Sequence, residues 1–211
     1  MAIPAKERRL PLYNLTKRLA TFILWPLFKI RANGHFNIPK EGPFVILPKH
    51  QRWEDVPLIS ISIARPVYYM AKYELFINPL SRWLLSSLGG LPLNRSNPSD
   101  SISSVKKLFN LLEKGEGIVV FPEGTYYKKR VGRLHRGLIR MILARYKVPL
   151  IPVGITYSRP GQRILANIEI GRPVYTKASD DIDQSINLAF NEMARLSGLK
   201  NYIGEDSDDG T

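Results

Sequence analysis

The sequence predicts an α/β domain: a mixed, mostly parallel sheet covered by helices. Two patterns and one number predict it. From residue 43 onward, short apolar runs such as Pro43-Phe-Val-Ile-Leu-Pro48 and Gly117-Ile-Val-Val-Phe121 alternate with helical patterns. Strands apolar on both faces are what a parallel sheet sandwiched between helices requires. The period then changes, because Ile164 to Ile170 alternates and Arg159-Pro-Gly-Gln162 reads as a turn. Residues 155–170 therefore read as a hairpin, which makes the sheet mixed. Finally, 211 residues with 44% hydrophobic and 23% charged side chains suit a single globular domain. A chain of that size buries about 70% of its unfolded surface and needs no covalent staples.

The elements follow in order. Residues 43–48 read as a buried strand. Asp55 to about Ala64 reads as a helix, with Pro57 tolerated in its first turn, and Arg65-Pro66 ends it. Val67 to Ala71 is a second strand. Asn78-Pro79 opens a helix running to about Leu88. Leu91-Pro92-Leu93 is a short extended piece. Ser101 to Lys114 is an amphipathic helix with Val105, Leu108, Leu111 and Leu112 inward, stopped at Gly115. Gly117 to Phe121 is a strand, Gly137 to Tyr146 a helix, and Leu150 to Ile155 the next strand. A last amphipathic helix covers about Asp181 to Leu196.

The N-terminal region reads differently. Leu19-Ala-Thr-Phe-Ile-Leu-Trp-Pro-Leu-Phe28 is the most apolar stretch of the chain. It is half the roughly 20 residues that spanning a bilayer needs, and Pro26 would break a helix there. A signal peptide fits less well, since no small-residue cleavage site follows. Leu15, Leu19, Phe22 and Pro26 keep helical spacing, with Lys17 and Arg18 off that face. Basic flanks, bulky apolar residues and a Trp suit a helix lying in the headgroup region. Lys17, Arg18, Phe22, Trp25 and Phe28 are the expected membrane contacts. Three regions result: a basic interfacial helical segment over 1–32, an α/β domain over 33–200, and an acidic tail over 201–211.

Charge narrows the partners. Lys plus Arg number 31 against 18 Asp plus Glu, a formal net charge of +13. Such a surface seeks polyanions. No helix-turn-helix, RRM-type or zinc pattern is present, and the basic residues do not interleave with aromatics, so nucleic acid is not an expected partner. With no cysteine, a catalytic thiol and a Cys-ligated metal are excluded, and with only His35, His50 and His135 a His-rich cage is not expected. No metal is expected.

His50 and Asp55 stand just after the first buried strand, at the carboxyl end where open α/β sheets place ligands. On one continuous helix, residues five apart lie about 140° from each other. The pair can meet only if a turn intervenes and Asp55 opens the helix. An Asp bonded to one ring nitrogen would fix the tautomer, leaving the other nitrogen to take a proton from a substrate hydroxyl.

Further along stand Gly89-Gly-Leu-Pro-Leu-Asn-Arg95, Phe121-Pro-Glu-Gly124 and Leu150-Ile-Pro-Val153. With His50-Gln-Arg-Trp-Glu-Asp55, these resemble the four ordered motifs of the glycerolipid acyltransferase family, of the 1-acyl-sn-glycerol-3-phosphate acyltransferase type. Lys72-Tyr-Glu-Leu-Phe76 also resembles the segment between that family's first two motifs. The similarity spans about residues 33 to 175.

The resemblance implies an enzyme that moves a fatty acyl group from acyl carrier protein or coenzyme A to the free hydroxyl of 1-acyl-glycerol-3-phosphate, giving phosphatidic acid. The thioester is a co-substrate and no cofactor is implied. His50, oriented by Asp55, would be the general base. Arg95, Glu123 and Gly124 map onto the family's acceptor-binding positions, and Thr125 and Lys72 are further substrate-binding candidates. An apolar groove for the acyl chain could come from residues 60–88. The enzyme would sit peripherally on an anionic membrane, on the cytoplasmic face. Glycerol-3-phosphate, or another lysolipid or polar acceptor, is the alternative.

Two departures bear on the acceptor. The family's third motif usually continues Thr-Arg-Ser, whereas here it continues Thr125-Tyr126-Tyr127-Lys128-Lys129. Either Lys128, Lys129 or Lys72 supplies phosphate charge in place of the missing Arg, or the acceptor is no simple phosphomonoester. The second motif has Pro92-Leu93-Asn94 where an aromatic or Ile usually precedes its Arg.

Overall fold

A computed structural model describes residues 9–94, 97–176 and 181–200. In chain order the elements are α1 (Leu10–Leu24), β1 (Phe28–Asn33), β2 (Phe44–Pro48), α2 (Asp55–Ser62), β3 (Val67–Lys72) and α3 (Pro79–Ser87). Then follow β4 (Gly90–Leu93), α4 (Pro98–Glu113), β5 (Gly117–Val119), α5 (Gly137–Arg145), β6 (Leu150–Ser158), β7 (Ile164–Ile170) and α6 (Ile182–Leu196). The strands form one sheet in the order β1-β7-β6-β2-β5-β3-β4. All neighbours are parallel except β6 and β7, whose antiparallel register sets Ile155 opposite Ile168. The predicted mixed sheet, its hairpin and its covering helices are therefore all present.

Both faces of the sheet are buried, and strand periodicity divides them. Val45, Leu47, Tyr68, Met70, Ile118 and Val120 face a core shared with Leu108, Leu112, Ile139, Ile142, Phe190 and Met193 of α4, α5 and α6. Their neighbours Phe44, Ile46, Val67, Tyr69, Val119 and Phe121 face a second core with Leu58 and Ile59 of α2 and Leu24 of α1. The long continuous apolar runs follow directly from this double burial. Helix α6 lies so close on β6 that a Cβ on Gly154 would stand 2.3 Å from the Leu196 carbonyl carbon. Arg65 ties the edge of the second core by donating to the carbonyls of Pro39, Gly42 and Gly115 at 2.8 to 3.0 Å.

The N-terminal expectation needs correction. Helix α1 forms, but it stops at Leu24 ahead of Pro26, and the chain continues as a strand. β1 pairs with β7 from Phe28–Ile164 to Asn33–Glu169, so the expected boundary between residues 32 and 33 falls inside a sheet strand. Phe28 is 2% exposed and belongs to the core, so it is not a membrane contact. The reason is local: in Phe28-Lys-Ile-Arg-Ala-Asn33 the apolar residues occupy alternate positions, and that face lies against the second core.

Lys17 is also turned inward. Its ammonium donates to the Ile63 carbonyl at 2.6 Å, capping the end of α2, and burial lowers its pKa. By contrast Arg18, Phe22 and Trp25 are exposed, Phe22 at 79%. Helix α1 packs through Tyr13 and Leu24 and leaves Leu15, Leu19 and Phe22 outward. Among the described residues no helix is long and apolar enough to cross a membrane. The tail over 201–211 lies outside the described residues.

Candidate active site

Parallel strands put their carboxyl ends on one edge of the sheet, and the chemistry-bearing residues follow those ends. His50 comes two residues after β2, Lys72 ends β3, Leu93 ends β4, and Phe121 and Glu123 to Tyr127 follow β5. Together with Val56, Tyr69, Met70, Leu75, Arg133 and His135 they wall a cavity of about 430 Å³. Part of the expected apolar groove, residues 69–72 with 74 and 75, lines it.

Asp55 opens α2, as the spacing argument required, and a turn carries the chain back to it. His50 Nδ1 stands 3.0 Å from Asp55 Oδ2. The same oxygen accepts from the backbone N–H of Gln51 at 2.5 Å and of Arg52 at 2.7 Å. Those two donors are the turn itself, bent around the carboxylate. Oδ1 accepts from the Tyr157 hydroxyl at the end of β6. Asp55 is fully buried among donors, and Nδ1 is the ring nitrogen of His50 that faces it.

Sequence reasoning missed Tyr157. Burial first, and then the Asp55 carboxylate beside it, push its hydroxyl far above the usual phenol range. It stays a neutral donor at any working pH. Tyr157→Phe leaves Oδ1 buried and short of one partner. Such a loss costs about 1–3 kcal/mol. The expected result is a turnover number lower by about tenfold with KM for the acceptor little changed. Wild-type kcat in that variant would show that the phenol does not position Asp55.

The third motif is held to the first by a buried knot. Lys49 Nζ donates to Glu123 Oε1 and Oε2 at 2.8 and 2.7 Å and to the Tyr127 carbonyl at 2.7 Å. Glu123 also accepts from the His50 backbone N–H at 2.9 Å and the Gly132 N–H at 2.8 Å. Both residues are essentially inaccessible to solvent. Burial lowers the Lys49 pKa, with Glu123 opposing the shift. Glu123 thus already uses both oxygens on the protein. It was expected among the acceptor-binding residues, and the geometry makes it a strut between the two motifs. Lys49 carried no sequence signal, since a Lys before the His reads as surface.

The His50 ring lies between aromatic neighbours. Phe121 stacks tilted at 4.1 Å between centroids, and Tyr126 meets it edge-on at 4.5 Å. The Tyr127 N–H donates to the His50 carbonyl at 2.9 Å. Gly124 turns the motif with φ of 63°, a left-handed conformation that glycine takes without strain. Thr125 and Lys72 are exposed at the cavity. Arg95 lies outside the described residues. Of the three lysines considered for phosphate, only Lys72 stands in the wall; Arg130 lies over the Tyr127 ring instead. Two wall residues had no sequence signal of their own, Arg133 and His135.

Residues 29–156 match the family model described as Acyltransferase. This chain belongs to the acyltransferase family. It is 33% identical to a 1-acyl-sn-glycerol-3-phosphate acyltransferase from Bacillus subtilis over 151 residues, covering 69% of this chain and 74% of the relative. A chloroplastic protein of the same name from Arabidopsis thaliana is 29% identical over 141 residues, covering 66% of this chain. The match spans 39% of the plant protein's length. The crystal structure of PlsC, the 1-acyl-sn-glycerophosphate acyltransferase of Thermotoga maritima, shares the fold. Its TM-score is 0.64 at 22% identity, over 92% of this chain and 80% of that one.

Proposed function

We propose that the protein transfers a fatty acyl group from acyl carrier protein or coenzyme A to the free hydroxyl of 1-acyl-glycerol-3-phosphate, giving phosphatidic acid. The observation that carries this reading is the His50–Asp55 contact, with His50 in the wall of a cavity that Lys72 and Arg133 also line. The relatives' names supply the acceptor class.

In this mechanism Nε2 of His50 takes the acceptor hydroxyl's proton while Nδ1–H stays on Asp55. The hydroxyl oxygen attacks the thioester carbonyl and a tetrahedral oxyanion forms. The C–S bond then breaks, and the imidazolium returns its proton to the departing thiolate. The ester remains on the glycerol. Lys72 and Arg133 face the acceptor's phosphate, where guanidinium and ammonium donors make charge-assisted bonds. The membrane partner is an anionic bilayer on the cytoplasmic face, touched by Phe22 and Trp25 of the α1 region, with Arg18 beside them.

A specific observation keeps a second acceptor in view. Tyr126 stands where the family usually has Arg, and it packs on the His50 ring instead of offering a cation. The test is acyl transfer by purified protein in detergent. Lysophosphatidate, glycerol-3-phosphate and a neutral lysolipid are offered in parallel, each with both kinds of thioester. Product from lysophosphatidate is expected, with Arg133→Ala and Lys72→Ala each raising its KM by about tenfold, the scale of one charge-assisted hydrogen bond. Product only from another acceptor overturns the phosphate assignment and keeps the chemistry.

A further inference from the structure

Helix α3 has its burial reversed. Ser86 and Ser87 are 3% and 0% exposed, whereas Leu80 is 73%, Trp83 45% and Leu84 38% exposed. Leu80, Trp83 and Leu84 lie at i, i+3 and i+4, on one face of the helix. Ile77, just before the helix, is 59% exposed. Among the described residues nothing covers this face, and a helix that buries serines and presents leucines and a tryptophan calls for an apolar partner.

The position of this ridge says what the partner is. Leu75, 53% exposed, precedes it and lines the cavity wall a few residues from Lys72. The apolar ridge and the reaction cavity therefore share an edge. The other end of α3 meets α1: the Arg9 N–H donates to the Ser87 carbonyl at 2.9 Å, so the exposed apolar helix begins where α3 stops. The only charged side chain on α3, Arg82, bends back to the Phe76 and Ile77 carbonyls at 2.8 and 3.3 Å and leaves the ridge uncharged. A second copy of a chain with a net charge of +13 would be repelled, and it would cover the cavity edge. An anionic bilayer attracts that charge, takes an apolar helix face into its headgroup region, and presents lipid at the same edge.

We infer that Ile77, Leu80, Trp83 and Leu84 form a second bilayer-contact ridge, separate from α1, that seats the cavity edge on the lipid surface. The inference rests on the proposed lipid acceptor for its purpose, but its test needs no turnover.

The protein has three tryptophans, Trp25, Trp53 and Trp83. Trp25→Phe with Trp53→Phe leaves Trp83 as the only probe. With vesicles of phosphatidylglycerol and phosphatidylethanolamine, its emission is expected to shift to the blue and to be quenched by brominated acyl chains. Trp83 that is neither shifted nor quenched on vesicle-bound protein overturns the inference, as does loss of the signal into a protein dimer seen by sedimentation. In the otherwise native chain, Leu80→Gln with Leu84→Gln is expected to weaken vesicle binding by about tenfold while activity on detergent-dispersed acceptor stays at the parent level. Equal vesicle affinity in that variant also overturns it. Should the protein fail to acylate any lysolipid, the Trp83 readout still decides the ridge.

Discussion

His50→Ala is expected to lower acyl transfer by about 10²–10⁴-fold, the range a positioned general base supplies. The fold should survive. The structural links of this residue run mainly through its backbone: its N–H donates to Glu123 and its carbonyl accepts from Tyr127 and Lys49. An alanine keeps all three. What the variant loses is the ring between Phe121 and Tyr126 and one of the donors to Asp55. Gln51, Arg52 and Tyr157 still hold that carboxylate. Steady-state turnover beside a thermal melt separates the two effects. Full activity in a folded His50→Ala protein would remove the base from the mechanism.

Breaking the Lys49–Glu123 knot should act the other way, on stability first. Lys49→Met leaves the Glu123 carboxylate buried without its cation, and a buried charge stripped of its partner costs about 3–5 kcal/mol. At about 2–4 °C per kcal/mol for a domain of this size, the melting temperature should fall by roughly 6–20 °C. Glu123→Gln should also destabilise, since an amide cannot satisfy the ammonium and two N–H donors at once. The double variant should be more stable than the sum of the single losses, because neither charge is then left alone. Melting curves of the four proteins close the cycle. Additive losses, within about 0.5 kcal/mol, would mean that the two residues act independently. Acyl transfer should fall with either single change, since the same carboxylate fixes the His50 backbone.

Much of this protein was legible in one dimension. The fully apolar runs at 44–48 and 117–121 read as strands buried on both sides because helices do cover both faces. The hairpin was legible from the change of period after Ile155. The meeting of His50 with Asp55 was legible from a geometric exclusion: five residues apart they cannot share a helix face, so Asp55 had to open one. Each of these rests on local spacing, which a sequence displays directly.

What only the tertiary structure decided is which partner each side chain meets, and that depends on elements far apart in the chain. β1 alternates correctly, but its neighbour β7 begins more than 130 residues later, so nothing nearby marked residues 28–33 as strand. Lys17 looked like a headgroup contact until α2 placed the Ile63 carbonyl within reach. Tyr157 reaches Asp55 from 102 residues away and Lys49 reaches Glu123 from 74 away, across strands adjacent only in the sheet. By itself the sequence determined most of the elements, the family motifs and the His–Asp spacing that lets the two side chains meet. The long-range packing determined which carboxylate touches the imidazole and which one ties the first motif to the third, because burial and hydrogen-bond partners are properties of the assembled fold.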